Sequence, residues 1–183
     1  MVLEIVKYGH PALRQKGAPV AKVDAKIRKL AEDMLETMDD ANGVGLAAQQ
    51  VGVPIQLAVI DVAGVEDRPS TLSIDGKEVN VEEHMPLVLL NPELDLGTER
   101  DEGIEGCLSF PEITAEIPRS RHVRLRAKDL NGEEIIFEAT GLLARALQHE
   151  VDHLHGILFI DRMKSATRTA LASKLKRLQK EGA

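Results

Sequence analysis

Gln148-His149-Glu150-Val151-Asp152-His153-Leu154-His155-Gly156 is the stretch around which the chain is organised. It contains the pattern H-E-x-x-H. Residues four apart share one face of a helix, so His149 and His153 can converge on one metal ion. Glu150 sits beside them, within reach of a water at that ion. The flanks support a helix: Thr140 is a capping residue upstream, and Gly156 is suited to end the helix downstream. Leu143, Leu147, Val151 and Leu154 form an apolar stripe, with Leu142, Ala146, His149 and His153 on the stripe beside it. The histidines therefore border a core instead of facing open water, and this helix is expected at the centre of the fold.

Two imidazoles are one protein ligand short of a catalytic site. The sequence has one cysteine, Cys107, in Glu105-Gly106-Cys107-Leu108-Ser109. Free cysteine is often just a small core residue. Here it follows Gly106 in a segment with little helical or strand pattern, and irregular backbone is expected around it. One thiolate and two imidazoles leave a position for water, the mark of a catalytic site; a structural site would need a fourth protein ligand. On ligand chemistry alone the expected ion is Zn(II), although thiolate and imidazole suit several ions. Glu150 is the candidate general acid and base. Hydrolysis of an amide also develops an oxyanion that needs donors, and the Gln50 amide and the Leu108 N–H are candidates. Asp152 is expected to point away from the metal, pairing with Arg119 or Arg145 or steadying a ligand histidine. His10, His84, His122 and His155 have no partner pattern and are read as non-ligands. The chemistry these residues point to is metal-dependent hydrolysis.

Composition sets the frame. With 183 residues, the chain is expected to form one catalytic domain, 1–183, with a real core. There is no Trp, one Tyr and three Phe, so the core must be aliphatic and base-stacking platforms are not expected. A formal charge of −7, well mixed along the chain, argues against broad non-specific binding to nucleic acid, and no sequence-specific nucleic-acid binding is expected. The exception is a basic tail, Arg162 to Lys180, whose plain reading is a solvated helix face. A single cysteine makes no internal disulfide and fits a reducing compartment. No apolar run is long enough to span a membrane, and Met1 to Lys7 does not read as a signal peptide. A cytoplasmic location is expected.

Outward from the central stretch, Asp24 can cap a helix to about Asp40, with Ile27, Leu30, Ala31, Met34, Leu35 and Met38 at helical spacing. Asn42 to Gln50 carries Gly43 and Gly45, read as a tight turn into a strand or a close approach to a ligand. Pro54–Val62 reads as a buried strand. Asp75-Gly76 reads as a two-residue turn, predicting a hairpin of 71–74 with 77–81, and Asn131-Gly132 is a second hairpin signal, between 122–127 and 134–139. Leu87–Leu90 is a short strand stopped by Asn91-Pro92, and Ile157–Ile160 another. A terminal helix is expected over 163–180. The class is α+β: short antiparallel strands and hairpins packed around a central metal-binding helix, with a C-terminal helix.

Three separated segments also resemble the peptide deformylase family. Gly43-Val-Gly-Leu-Ala-Ala-Gln-Gln50 is similar to its G-x-G-φ-A-A-x-Q motif, Glu105-Gly-Cys-Leu-Ser109 to E-G-C-L-S, and Gln148 to Gly156 to Q-H-E-x-D-H-L-x-G. The resemblance runs from Pro11 to Asp161. It implies removal of the formyl group from N-formylmethionine on nascent peptides of the bacterial or organellar type. It implies Cys107, His149 and His153 as ligands of one divalent metal ion, with Fe(II) native and Zn(II), Ni(II) or Co(II) as substitutes. Glu150 is then the acid/base, and Gln50 and the Leu108 N–H the oxyanion donors. Val44, Gly45, Glu105, Leu142 and Ala146 would line the substrate region, where the peptide pairs like a strand. Contact of the basic C-terminal helix with the ribosome, and a monomeric state, complete the expectation. The polar stretch 65–85 and Phe110 depart from the compact pattern. An alternative zinc endopeptidase leaves the two upstream motifs without a role, and a metal-stabilised binding module lacks a fourth ligand.

Overall fold

Helix α2 (Gly141–Leu154) is buried along its whole length except at Gly141 and Asp152. Its apolar residues explain this: Leu143 and Leu147 have no exposed surface, and burying each contributes about 2 kcal/mol. The computed structural model describes residues 1–183. Around α2 are helix α1 (Ala25–Asp40), strands β1 (Gly45–Ala47), β2 (Leu57–Ile60), β3 (Ser70–Ile74), β4 (Lys77–Val79), β5 (Leu87–Leu96), β6 (Arg100–Cys107), β7 (Phe110–Ser120), β8 (His122–Lys128) and β9 (Glu134–Thr140), and helix α3 (Ser165–Gly182). Seven strands form one antiparallel sheet in the order β1-β2-β5-β8-β9-β3-β4, and β6 and β7 form a separate ribbon. This is the expected α+β arrangement.

The packing follows the sequence pattern. Leu142, Leu143, Ala146 and Leu147 of α2 sit on Leu72, Leu89, Val123, Leu125 and Phe137 of the large sheet. Met34 and Met38 of α1 fill a second cluster with Leu46, Leu57 and Val59. Ile113 and Ile117 of the ribbon join Tyr8, Phe110, Phe159 and Leu175 of α3 in a third. Tyr8 and Phe110 stack with centroids 4.7 Å apart, and Phe159 meets Phe110 edge-on at 5.0 Å. No helix is long and apolar enough to cross a membrane.

Most turns fall where their residues require. Asp24 caps α1, its Oδ1 accepting from the Ile27 N–H at 3.0 Å. Asp75 and Gly76 both have positive φ, as the tight β3–β4 hairpin demands. Several expectations are corrected. β5 does not stop at Asn91-Pro92. Asn91 adopts a positive φ and the register shifts between Leu90 and Glu93, so a bulge absorbs the proline that cannot join the ladder. Ile157–Ile160 is not a strand; Phe159–Asp161 form a 3-10 turn. Pro54–Val62 shortens to Leu57–Ile60. Thr140 precedes α2 but gives no side-chain cap. Its hydroxyl meets that of Thr71, and Ser70 caps the helix from another strand, accepting from the Leu143 N–H at 2.9 Å. Cys107 ends β6, directly before the turn into β7, and the register shifts between Gly106 and Cys107, so the irregular backbone expected there is a local break at the end of a strand.

Candidate metal centre and substrate cleft

α2 presents His149 and His153 on one face, with ring centroids 4.9 Å apart. The end of β6 brings Cys107 to the same point. The ligand atoms of Cys107, His149 and His153 all lie within 4.8 Å of one another. Cys107 Sγ and His153 Nε2 are 3.4 Å apart. A cation with ordinary bond lengths to sulfur and nitrogen in tetrahedral geometry spans an edge of about 3.5 Å. The donor set therefore fits a divalent ion. Burial pushes the His153 imidazole well below its ordinary pKa, towards the neutral form that a ligand needs.

Glu105 holds the first histidine. Its Oε1 accepts from His149 Nδ1 at 2.8 Å, which directs Nε2 towards the other donors. Both oxygens of Glu105 also take Arg119, through Nε at 2.8 Å and Nη2 at 2.9 Å, and Oε2 takes Arg145 Nη1 at 2.8 Å. Burial works to raise this carboxyl, but hydrogen bonds from Arg119 and His149 outweigh it and hold it at about 2. Asp152 extends the network one step outward, accepting from Arg119 at 2.6 Å and Arg162 at 3.0 Å. The partner of Asp152 is thus Arg119, while Arg145 turns to Glu105. The residue steadying a ligand histidine is Glu105 and not Asp152. Gln148 fixes the helix to the ribbon by exchanging hydrogen bonds of 2.9 Å with the backbone of Ser120.

Glu150 is buried, and its Oε1 has no hydrogen-bond partner. An unsatisfied buried carboxylate oxygen is costly, and here it lies beside the donor cluster. Burial pushes its pKa up to about 7, a value suited to moving protons near neutrality. Gly45 makes this position possible: a Cβ there would run into Glu150 Oε2 and stand 2.9 Å from Cδ. Gln50, in the 3-10 turn after β1, is fixed by the Ala47 N–H to its Oε1 at 2.9 Å. Its amide Nε2 is thereby aimed at Ser109 Oγ, 3.2 Å, and Cys107 Sγ, 3.5 Å. Leu108 follows Cys107 in the turn, its side chain against Gly43, where a Cβ would be 2.8 Å from Leu108 Cδ1.

A cleft of about 450 Å³ opens onto these groups, lined by Val44, Gly45, Gln50, Glu105, Leu108, Leu142, Ala146, His149 and Glu150 among others. One wall is β1, at the edge of the large sheet; the other is β6, which pairs only with β7. Two strand edges therefore face one space, as strand-like capture of a peptide requires. A larger groove of about 950 Å³ runs past Asp152 and His155. It contains none of Cys107, His149 or Glu150, so volume alone does not mark the site. The sequence-derived site residues line the smaller cleft except His153, which is fully buried behind it with its ring against that of His149. Sequence reasoning missed Arg68, Ile104, Glu112 and Arg145 in its walls, and the carboxylate–arginine network behind it. One signal was present: Arg119 falls on the buried phase of β7 with Ile113, Ala115 and Ile117, and an arginine there calls for a buried partner.

Comparison with known proteins agrees with this geometry. The sequence profile of the polypeptide deformylase family matches residues 2–169. The peptide deformylase of Methylacidiphilum infernorum is 47% identical over 180 residues, covering 98% of this chain and 94% of that one. That of Opitutus terrae is 44% identical, covering 98% and 94%. The crystal structure of the Thermus thermophilus deformylase superposes with a TM-score of 0.83 at 38% identity, covering 100% of both chains. The Ehrlichia chaffeensis deformylase, solved with actinonin, gives 0.83 at 38% identity over 96% of each.

Proposed function

Because the chain belongs to the polypeptide deformylase family, we propose how its own residues divide the removal of the N-formyl group from the methionine that begins a new polypeptide. The reaction adds water across the formyl C–N bond and releases formate and a free amino terminus. Cys107, His149 and His153 would hold the divalent ion on which the family depends, which would supply polarisation of the formyl carbonyl and a water acidic enough to attack near neutral pH. Glu150 accepts the proton of the attacking water and returns it to the leaving nitrogen. The Gln50 amide and the Leu108 N–H donate to the formyl oxygen as it gains charge. The peptide lies between β1 and β6, and Val44, Leu142 and Ala146 receive the unbranched methionine side chain. Glu105 borders the same cleft, but its carboxylate serves His149. The observation that carries this reading is the unpartnered buried carboxylate of Glu150 beside three converging ligand atoms.

The same reading takes Fe(II) as the resident ion, with Zn(II), Ni(II) or Co(II) able to replace it. It treats 1–183 as one catalytic domain acting as a cytoplasmic monomer on nascent chains. Lys174, Lys176, Arg177 and Lys180 on α3 are all exposed, which supports contact with the ribosome. The test is formate release from an N-formyl-Met peptide by protein purified without oxygen and loaded in turn with each ion. The N-acetyl peptide should react about a hundredfold more slowly, because one added methyl must fit beside the ligands. Release of formate only with Zn(II) would reject the iron assignment, and equal turnover of both peptides would reject selection by size.

A second outcome concerns Gly45. Gly45→Ala should displace the Glu150 carboxylate and lower kcat about a hundredfold. Its effect on KM should be smaller. A kcat within threefold of wild type would show that Glu150 has room to move.

A further inference from the structure

Arg68 is a cation in the wall of the catalytic cleft that the chemistry above does not use. It lines the cleft together with Ile104, Leu142 and Arg145. It lies just ahead of the β3–β4 hairpin, and the structure fastens this segment to the start of the catalytic helix. The Pro69 carbonyl accepts from the Leu142 N–H at 3.2 Å. Ser70 Oγ accepts from the Leu143 N–H at 2.9 Å. Ser70 bridges to Gly141, and β3 continues alongside β9 through Thr71 and Thr140. Gly141 has a positive φ and no room for a Cβ against the Pro69 carbonyl. The residues after Arg68 are thus held by α2 itself, and the guanidinium starts from a fixed point on the rim.

The carboxylates around it are paired elsewhere or exposed: Glu66 and Asp67, which precede it in the chain, are both exposed. Arg145 pairs with Glu105, which Arg119 shares. Just outside the cleft, Asp101 pairs with Arg121, and Glu102 with Lys164. Arg68 is half-buried and has no carboxylate partner. The α2 N-terminus beside it adds a partial positive charge. Glu112 also lines the cleft, but it is exposed, so its field is screened more strongly. A half-buried arginine with no carboxylate partner, at the mouth of the proposed peptide cleft, is suited to a carboxylate held by two parallel hydrogen bonds.

We propose that Arg68 is a specificity-determining residue that binds an acidic side chain in the few residues following formylmethionine. The proposal rests on the deformylase reading of the cleft. The polar stretch 65–85 then has a role: it delivers a charge to the substrate path that the core strands do not supply.

The test uses formyl-Met-Ala-Ala-Ala with an amidated end, carrying one Asp, Asn or Lys at position two, three or four. The readout is the ratio of kcat/KM between peptides, which cancels any loss of active protein in a variant. In the wild type, Asp should exceed Asn about tenfold at one position, and the advantage should shrink between 0.05 and 0.5 M salt on the order of the screening expected for a rim charge. Arg68→Gln should bring the ratio to about one, and Arg68→Glu should favour Lys at the same position. A wild-type preference for Lys, no preference at any position, or an unchanged ratio in Arg68→Gln overturns the assignment while formate release leaves the deformylase reading intact. No formate from any peptide overturns both.

Discussion

Glu150→Gln should lower formate release about a thousandfold or more while leaving fold and metal content in place. The substitution keeps the shape of the side chain and removes only its capacity to take up and return a proton. General acid–base catalysis by one positioned group is worth about 10² to 10⁴, and in the proposed reaction one carboxylate serves both water attack and departure of the amine. Glu150 is also well isolated from other work: one oxygen has no partner, and neither belongs to the Glu105 network. Burial raises its pKa, so the charged form carries a desolvation cost that the neutral amide avoids. The variant should therefore melt no lower than the wild type. Formate release, a thermal melt and metal content per chain are the three readings. Activity within tenfold of wild type would move the proton-carrying role to another group. Lost metal together with lost activity would make Glu150 a ligand-positioning residue instead.

The parts of this site legible in the sequence are those whose partners lie close in the chain. His149, Glu150 and His153 are readable because the helical period places two of them on one face, and the leucines beside them identify the helix as buried. The Asp75-Gly76 hairpin is readable because positive φ at both residues of a two-residue turn selects these residue types; Asn131-Gly132 marks a hairpin as well, but inside a longer loop, 129–133, in which only Gly132 has a positive φ. The β6–β7 ribbon is not. β6 is mostly exposed on both faces, so no apolar alternation marks it, and the buried phase of β7 is interrupted by Arg119. Ser70 replaces Thr140 as the cap because β3 lies beside the helix start, a contact between residues 73 apart. Glu105 shows the limit most clearly. Its sequence motif marks it as part of the cleft, but its partners Arg119, Arg145 and His149 lie 14, 40 and 44 positions away. Only the fold shows that a residue expected to touch substrate is hydrogen-bonded to His149.

That placement predicts the second large effect. Glu105→Gln should destabilise the protein by about 3 kcal/mol at pH 7, and weaken metal retention by about ten- to a hundredfold. Glutamine fills the same space but leaves the Arg119 and Arg145 guanidinium groups with less charge compensation in a buried site, where removing one partner costs more than the pair contributes. The pH dependence distinguishes this from simple loss of packing. Because the folded-state pKa of Glu105 lies below its unfolded value, at about 2, its stabilisation is fully present above the usual carboxylate range. It is lost as the pH falls from about 4.5 through about 2. Denaturant titrations at pH 7 and pH 3 should therefore show a wide gap between wild type and variant at the first and a narrower gap at the second. A packing defect would keep the gap constant. The exposed Arg14–Asp161 pair, 2.6 Å apart at 44% and 29% exposure, provides the comparison, since breaking it should cost at most about 1 kcal/mol. Competition with a chelator gives the second reading. Unchanged metal affinity in Glu105→Gln would show that His149 keeps its orientation without the carboxylate. The ion-pair network would then serve the fold alone.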